Sequence, residues 1–227
     1  MPRGAEPLVI GDHTGFTSIF DGTSLKDWDG DPAFWRVEGG AIVGREHAGE
    51  PDQAEHVPHL ARRRAEDFEL KVEFRMSATN SGIQVRSVQL ARPVHDIGKW
   101  VMKGYQADID FDNQFTGQIY EERGRGFLAM RGQARLRRRR RRTPVVIGNL
   151  QQTPDELKAL IKANDWNQVH LIARGNTITA DPQRRGHEHA SSTTIRRTGS
   201  LSGLIGFQMH VGEPMRVEFR NIWLKKF

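Results

Sequence analysis

Residues Phe68–Met76 read FELKVEFRM and residues Ser81–Leu90 read SGIQVRSVQL. Phe68, Leu70, Val72, Phe74 and Met76 alternate with Glu69, Lys71, Glu73 and Arg75. A period of two sets apolar side chains on one face and charges on the other, the pattern of a half-buried antiparallel strand. Asn80-Ser81-Gly82 supplies the turn into the next strand. The same grammar recurs outward in both directions. FTSIFDGTSL (16–25), FWRVEGGAIVG (34–44, with Gly39-Gly40 at a hairpin position), GYQADIDF (104–111) and GQIYEE (117–122) read as strands. So do WNQVHLIARGNTIT (166–179), GLIGFQMHV (203–211) and MRVEFRNIWLKKF (215–227). One helix is predicted over 154–163: Thr153 is an N-cap, Pro154 occupies the first helical position, and Glu156 completes a capping box ahead of LKALIK. Many strands and one short helix predict an all-β antiparallel sandwich. The 227 residues suit one large domain, 15–227, after a tail at 1–14.

Composition removes several classes of chemistry. With no cysteine there is no disulfide, thiolate metal site or cysteine nucleophile. No apolar run reaches membrane-spanning length, so no membrane partner is expected. MPRGAEPLVIGDHTG lacks a signal core, and a periplasmic or secreted place would require an upstream leader. The net charge of +6 is concentrated in His56–Arg64, Ala134–Arg142 and Asp181–Arg197. These hold 14 arginines against Asp181 and Glu188, a net +12 that leaves −6 on the remainder. The arginine run lacks interleaved aromatics or a reading element, so nucleic acid is not the expected partner. There is no G-x-S-x-G, Walker loop or H-E-x-x-H, and nothing provides for a nucleotide cofactor.

The chemistry-bearing stretch is Gly104–Gly126, GYQADIDFDNQFTGQIYEERGRG. On a regular strand Gln106, Asp108, Asp110 and Asp112 share one face beside Tyr105. Carboxylates so close favour a bound cation, a raised pKa or a cationic partner. Asp108 and Asp110 are the candidate ligands for a divalent metal. An EF-hand is excluded, because Asn113 stands where its glycine belongs and Ile119 where its last ligand belongs. An exposed acidic strand face is the plain alternative. YEERGRG sets Tyr120, Glu121, Glu122, Arg123 and Arg125 beside two glycines, and alternation splits the glutamates between faces. A base and an arginine for developing negative charge could both come from it; the alternative is a solvated, salt-bridged loop. Gln84 and Arg86 share a face that suits hydroxyl recognition. His210 and Gln208 share another, whereas His170, flanked by Val169 and Leu171, reads as structural. Trp100 is the better candidate for stacking on a sugar; Trp35 reads as core.

The ordered blocks FTSIFDGTSLKDW, DPAFWRVEGGAIVG, DFELKVEFRM, NSGIQVRS, GYQADID, TGQIYEERGRGFLA, the capped helix, HLIARGNTIT, SGLIGFQMH and VEFRNIWLKKF resemble the 3-keto-disaccharide hydrolase family from about Gly15 to Phe227. The resemblance implies a concanavalin-like β-sandwich (jelly roll) and a small-molecule carbohydrate substrate already oxidised at C3. It further implies cleavage by C2 proton abstraction, β-elimination and hydration. On that reading Asp108 or Glu121 is the base, and Arg86, Arg123 or Arg125 steadies the enolate. His210 is acid or metal ligand, with Gln84, Trp100, Tyr105, Gln106, Tyr120 and Gln208 around the substrate. Val85 stands where the family usually has an aromatic. Two alternatives remain: a non-catalytic carbohydrate-binding module, or an inactive copy.

The resemblance breaks at the three basic segments, which are either genuine basic loops or local reading-frame shifts later restored. HVPHLARR (56–63) can be encoded CAC GTT CCT CAT CTG GCG CGG CGG, and one base later this reads TFLIWRG, a hydrophobic strand like the family's. DPQRRGHE (181–188) can likewise be encoded so that the next frame gives THNGVVTS. Sequencing the gene is expected to show codons of this kind; codons that give no such string in another frame leave the segments as native loops.

Overall fold

The computed structural model describes residues 12–45, 59–60, 64–90, 100–136, 145–149, 153–182, 191–194, 200–210 and 214–227. Much of the three basic segments lies outside these residues. Two sheets stack face to face, confirming the all-β sandwich.

The first sheet is built on β6 (Phe68–Met76), which lies between β13 (Asn167–Arg174) and β17 (Arg216–Lys226). β14 (Thr177–Pro182), β15 (Ser191–Thr194), β11 (Gln133–Leu136) and β12 (Val145–Asn149) extend it beyond β13. β4 (Ala41–Arg45) and β3 (Trp35–Glu38) extend it beyond β17, and β1 (Thr17–Ser18) also pairs with β17. Its pairings are antiparallel except β11 with β15. The second sheet runs β10 (Gly126–Ala129), β9 (Ile119–Glu122), β8 (Met102–Asp110), β7 (Asn80–Gln89), β16 (Leu204–Met209), β5 (His59–Leu60) and β2 (Trp28–Asp29). β2, β5, β10, β11, β12 and β15 lie outside the strands read from the sequence.

The alternation of β6 is realised as expected: Phe68, Leu70, Val72, Phe74 and Met76 are all buried in the core. From the opposite sheet come Ile83, Val85, Tyr105, Ala107, Ile109 and Phe207. Phe207 on β16 stacks on Phe219 of β17, with centroids 4.0 Å apart and planes at 7°, and also on Trp28 at 5.1 Å. This ring column ties the two sheets together. Fully burying side chains of this size stabilises by about 1.5–3 kcal/mol each. The helix α1 (Pro154–Ala159) is shorter than predicted, but its capping box is present. Thr153 Oγ1 accepts from the Glu156 amide at 3.2 Å, and the Glu156 carboxylate accepts from the Thr153 amide at 2.7 Å.

Arg86 departs from its expected place. A register shift between Val85 and Val88 and a φ of +50° at Arg86 turn its side chain away from the row occupied by Gln84. The guanidinium is fully buried and donates to the Glu66 carbonyl (2.8 Å), the Gly175 carbonyl (2.7 Å) and the Asp67 carboxylate (3.0 Å). Burial pulls its pKa below the ordinary arginine value, with Asp67 opposing the shift. Arg86 thus bolts β7 of one sheet to the entry of β6 and the β13–β14 turn of the other. Gly203 permits the approach, since a Cβ there would lie 2.4 Å from the Arg86 carbonyl carbon. Replacing the charge with an apolar side chain takes the side-chain donor from two carbonyls and from the Asp67 carboxylate, which keeps only the Gly175 amide at 2.9 Å. Arg86→Met is expected to destabilise the fold by about 2–4 kcal/mol, read as a lower urea midpoint. An unchanged midpoint would contradict this role.

Candidate functional site

The second sheet has an inner face for the core and an outer face for the site, and β8 shows how. Tyr105, Ala107 and Ile109 enter the core, so Gln106 and Asp108 project from the opposite side. Register then brings the neighbours alongside. Gln106 faces Gln84 on β7 and Tyr120 on β9; Asp108 faces Gly82, which faces Gln208 on β16. Gly82 is a gap with a purpose. A Cβ there would lie 2.2 Å from Cδ of Gln106, so only glycine lets that amide lie across the strand.

The result is a cavity of about 260 Å³. Gln106, Asp108, Gln208, His210, Asn80 and Ser81 give it a polar side, with Glu122 also on its wall. Phe115, Tyr120 and Phe127 give it an apolar side. The Gln106 amide nitrogen donates to Asp108 Oδ1 (2.9 Å) and to Gln208 Oε1 (3.0 Å), while Gln84 Nε2 donates to Gln106 Oε1 (3.1 Å). A relay of three amides therefore orients one carboxylate. Asp108 is 9% exposed. Its pKa is pushed up to about 7, first by burial and further by the nearby charges of Asp110 and Glu122, against the lowering by the Gln106 hydrogen bond. A carboxyl group near neutrality can both take and return a proton at ordinary pH.

Asp110 has another task. Its carboxylate accepts from the amides of Gln114, Phe115 and Thr116, each at 2.8 Å, and from Thr116 Oγ1 at 3.0 Å. Both oxygens are thus committed to folding loop 111–117. From the other side Arg131 donates to the carbonyls of Thr116 (2.7 Å) and Asn113. Asp110, expected with Asp108 as a ligand for a divalent cation, thus has both carboxylate oxygens hydrogen-bonded within the loop. Among the described residues no group of three or more His, Cys, Asp or Glu side chains is placed to share a metal.

The cavity brings together Asp108, His210, Gln106, Gln208 and Tyr120 from the expected set. Gln84 lies beneath it, fully buried, as the first amide of the relay. The other expected residues lie elsewhere. Glu121 shares no face with Tyr120; it pairs with Arg125, whose backbone amide it also accepts at 3.1 Å. Arg123 sits in the exposed β9–β10 turn with a φ of +53°. Tyr105 is core, Arg86 is the bolt described above, and Trp100 is buried away from the lining. Among the described residues no arginine lines the cavity. Sequence reasoning missed Glu122, Asn80, Ser81, Phe115 and Phe127. For Glu122 the signal existed, since Tyr120 and Glu122 are two apart on one strand and must share a face.

Comparison with solved structures supports the fold. A provisionally named glycosyl hydrolase from Parabacteroides distasonis superposes with a TM-score of 0.60 at 17% identity, covering 97% of this chain and 99% of that one. The carbohydrate binding module CBM66 from Bacillus subtilis gives 0.53 at 13% identity over 88% and 96%. A galectin-like protein of unknown function from Bacillus subtilis gives 0.52 at 14% over 89% and 90%. A comparison with curated proteins found no match. The model of one family matches residues 15–225, nearly the whole chain: the protein belongs to the 3-keto-alpha-glucoside-1,2-lyase-like domains.

Proposed function

We propose that this protein is an enzyme that cleaves glycosides carrying a carbonyl at C3, with Asp108 as the proton-abstracting base. The observation that carries the reading is a buried carboxyl group, oriented by an amide relay and titrating near 7, at the wall of a sugar-sized cavity. The family, and the carbohydrate-related names of the fold neighbours, supply the substrate class.

A C3 carbonyl acidifies the hydrogen on C2. Asp108 takes that proton, and the C2–H electron pair moves into a C2–C3 enolate. Collapse of the enolate forms the C1–C2 double bond and expels the C1 substituent, whose oxygen is protonated by His210. Water then adds across the double bond, its oxygen to C1 and a proton to C2. No arginine is among the described lining residues, and the Asn80 amide is a neutral donor on that wall for the enolate oxygen. Burial does most to set the working range of the base, and the negative charges of Asp110 and Glu122 push it further in the same direction.

The amide platform alone also suits binding without chemistry, the alternative in which the chain is a carbohydrate-binding module. That reading expects retention of unoxidised glycans and no product from 3-keto-glucosides.

Base function requires ionised Asp108, so kcat/KM on a 3-keto-glucoside is expected to rise with pH through an inflection near 7. Asp108→Asn should lower kcat/KM by about 10²–10⁴-fold. Glu121→Gln, remote from the cavity, should leave the pH inflection in place. Glu122→Gln removes a charge that raises the Asp108 pKa, and its inflection should therefore move to lower pH. Full turnover by Asp108→Asn would show that the base is another group.

A further inference from the structure

The cavity is two-sided in a way that the elimination chemistry does not require. Its polar side handles a sugar. Its other side is a cluster of three aromatic rings: Phe115 stacks on Phe127 with centroids 5.8 Å apart and planes at 24°, and Tyr120 meets Phe127 edge-on at 5.1 Å. Phe115 and Phe127 are nevertheless 39% and 42% exposed, among the most exposed large apolar residues described. Exposed rings on a cavity wall leave apolar area for a ligand to cover.

The cluster is assembled from three separate pieces of chain. Tyr120 and Phe127 come from the paired strands β9 and β10, at directly opposed positions. Phe115 comes from loop 111–117, which the Asp110 carboxylate holds from one side and Arg131 from the other. The loop that presents Phe115 is therefore preorganised, with its backbone amides tied to a buried carboxylate. Register also fixes where the wall stands. Phe127, Tyr120, Gln106 and Gln84 form one row across four strands, so the rings flank Gln106 on the side opposite Gln84.

We propose that this wall is a leaving-group subsite for a flat, apolar substituent, and that the preferred substrates are glycosides of aromatic alcohols. This rests on the proposed glycoside chemistry for its meaning, though not for its geometry. A second sugar in this place could lay only its C–H face on the rings, and its hydroxyls would find neither donor nor acceptor on the side chains of Phe115 and Phe127. An aryl group brings a face and an edge that match the rings, and it loses no hydrogen bonds in doing so. The polar side keeps the sugar ring with its reactive carbon near Asp108, and the wall receives what departs.

Calorimetric binding of phenyl glucoside and methyl glucoside tests the subsite without turnover. Phenyl glucoside is expected to bind the native protein about 3- to 10-fold more tightly. Phe127→Ala should remove most of that preference while leaving methyl glucoside affinity unchanged, with Phe115→Ala as an independent second variant. Equal affinity for the two glucosides, or binding of neither, overturns the subsite. So does an undiminished phenyl preference in both variants when each melts at the native temperature. The two proposals fail differently. A phenyl preference without product from phenyl 3-keto-glucoside keeps the subsite and sinks the elimination; product formation without a phenyl preference does the reverse.

Discussion

Everything in the site depends on the two-faced character of β8. One strand of nine residues must send Tyr105, Ala107 and Ile109 into a dry core and Gln106 and Asp108 into a cavity. The alternation cannot slip, because a shift of one residue would bury two polar groups among the rings of the sandwich and expose the apolar set. Neighbouring strands inherit this constraint through their register. β7 places Gly82 where the Gln106 amide needs room, β9 places Tyr120 and Glu122, and β16 places Gln208. The two sheets are then held by the stacked Phe207 and Phe219 and by the buried guanidinium of Arg86, which spans from one sheet to the turns of the other.

Charge in the site follows from burial. Three carboxylates, Asp108, Asp110 and Glu122, share one region of the second sheet, and the structure treats them differently. Asp110 is surrounded by backbone amides and serves the loop. Asp108 has one amide donor, little water and two like charges nearby, so its ionised form is disfavoured. Its environment gives it a proton affinity suited to acid–base work, while a neighbour two residues away becomes a structural cap.

The fold was legible because period-two patterning is local. FELKVEFRM and GYQADIDF announce their faces without reference to the rest of the chain. The capping box of α1 was legible for the same reason. Asp108, Gln106, Gln208 and His210 followed from that alternation together with the family-like blocks. What was not legible depended on events outside each segment. Arg86 looked like a partner of Gln84 until a bulge and a positive φ turned it inward. Glu121 was favoured over Glu122, although their faces are decided by the pairing of Tyr105 with Glu121 and Gly104 with Glu122. Asp110 looked like a ligand because its four loop donors come from residues that follow a turn. Phe115 and Phe127 are twelve residues apart and meet only through tertiary structure.

Elimination requires the C2–H bond to break during cleavage. The most direct measurement is turnover of a 3-keto-glucoside carrying deuterium at C2, compared with its protiated counterpart. Slower turnover of the deuterated substrate, with deuterium lost to solvent, is the predicted result. Equal rates with deuterium retained at C2 of the product would mean direct displacement at C1 and would contradict the elimination.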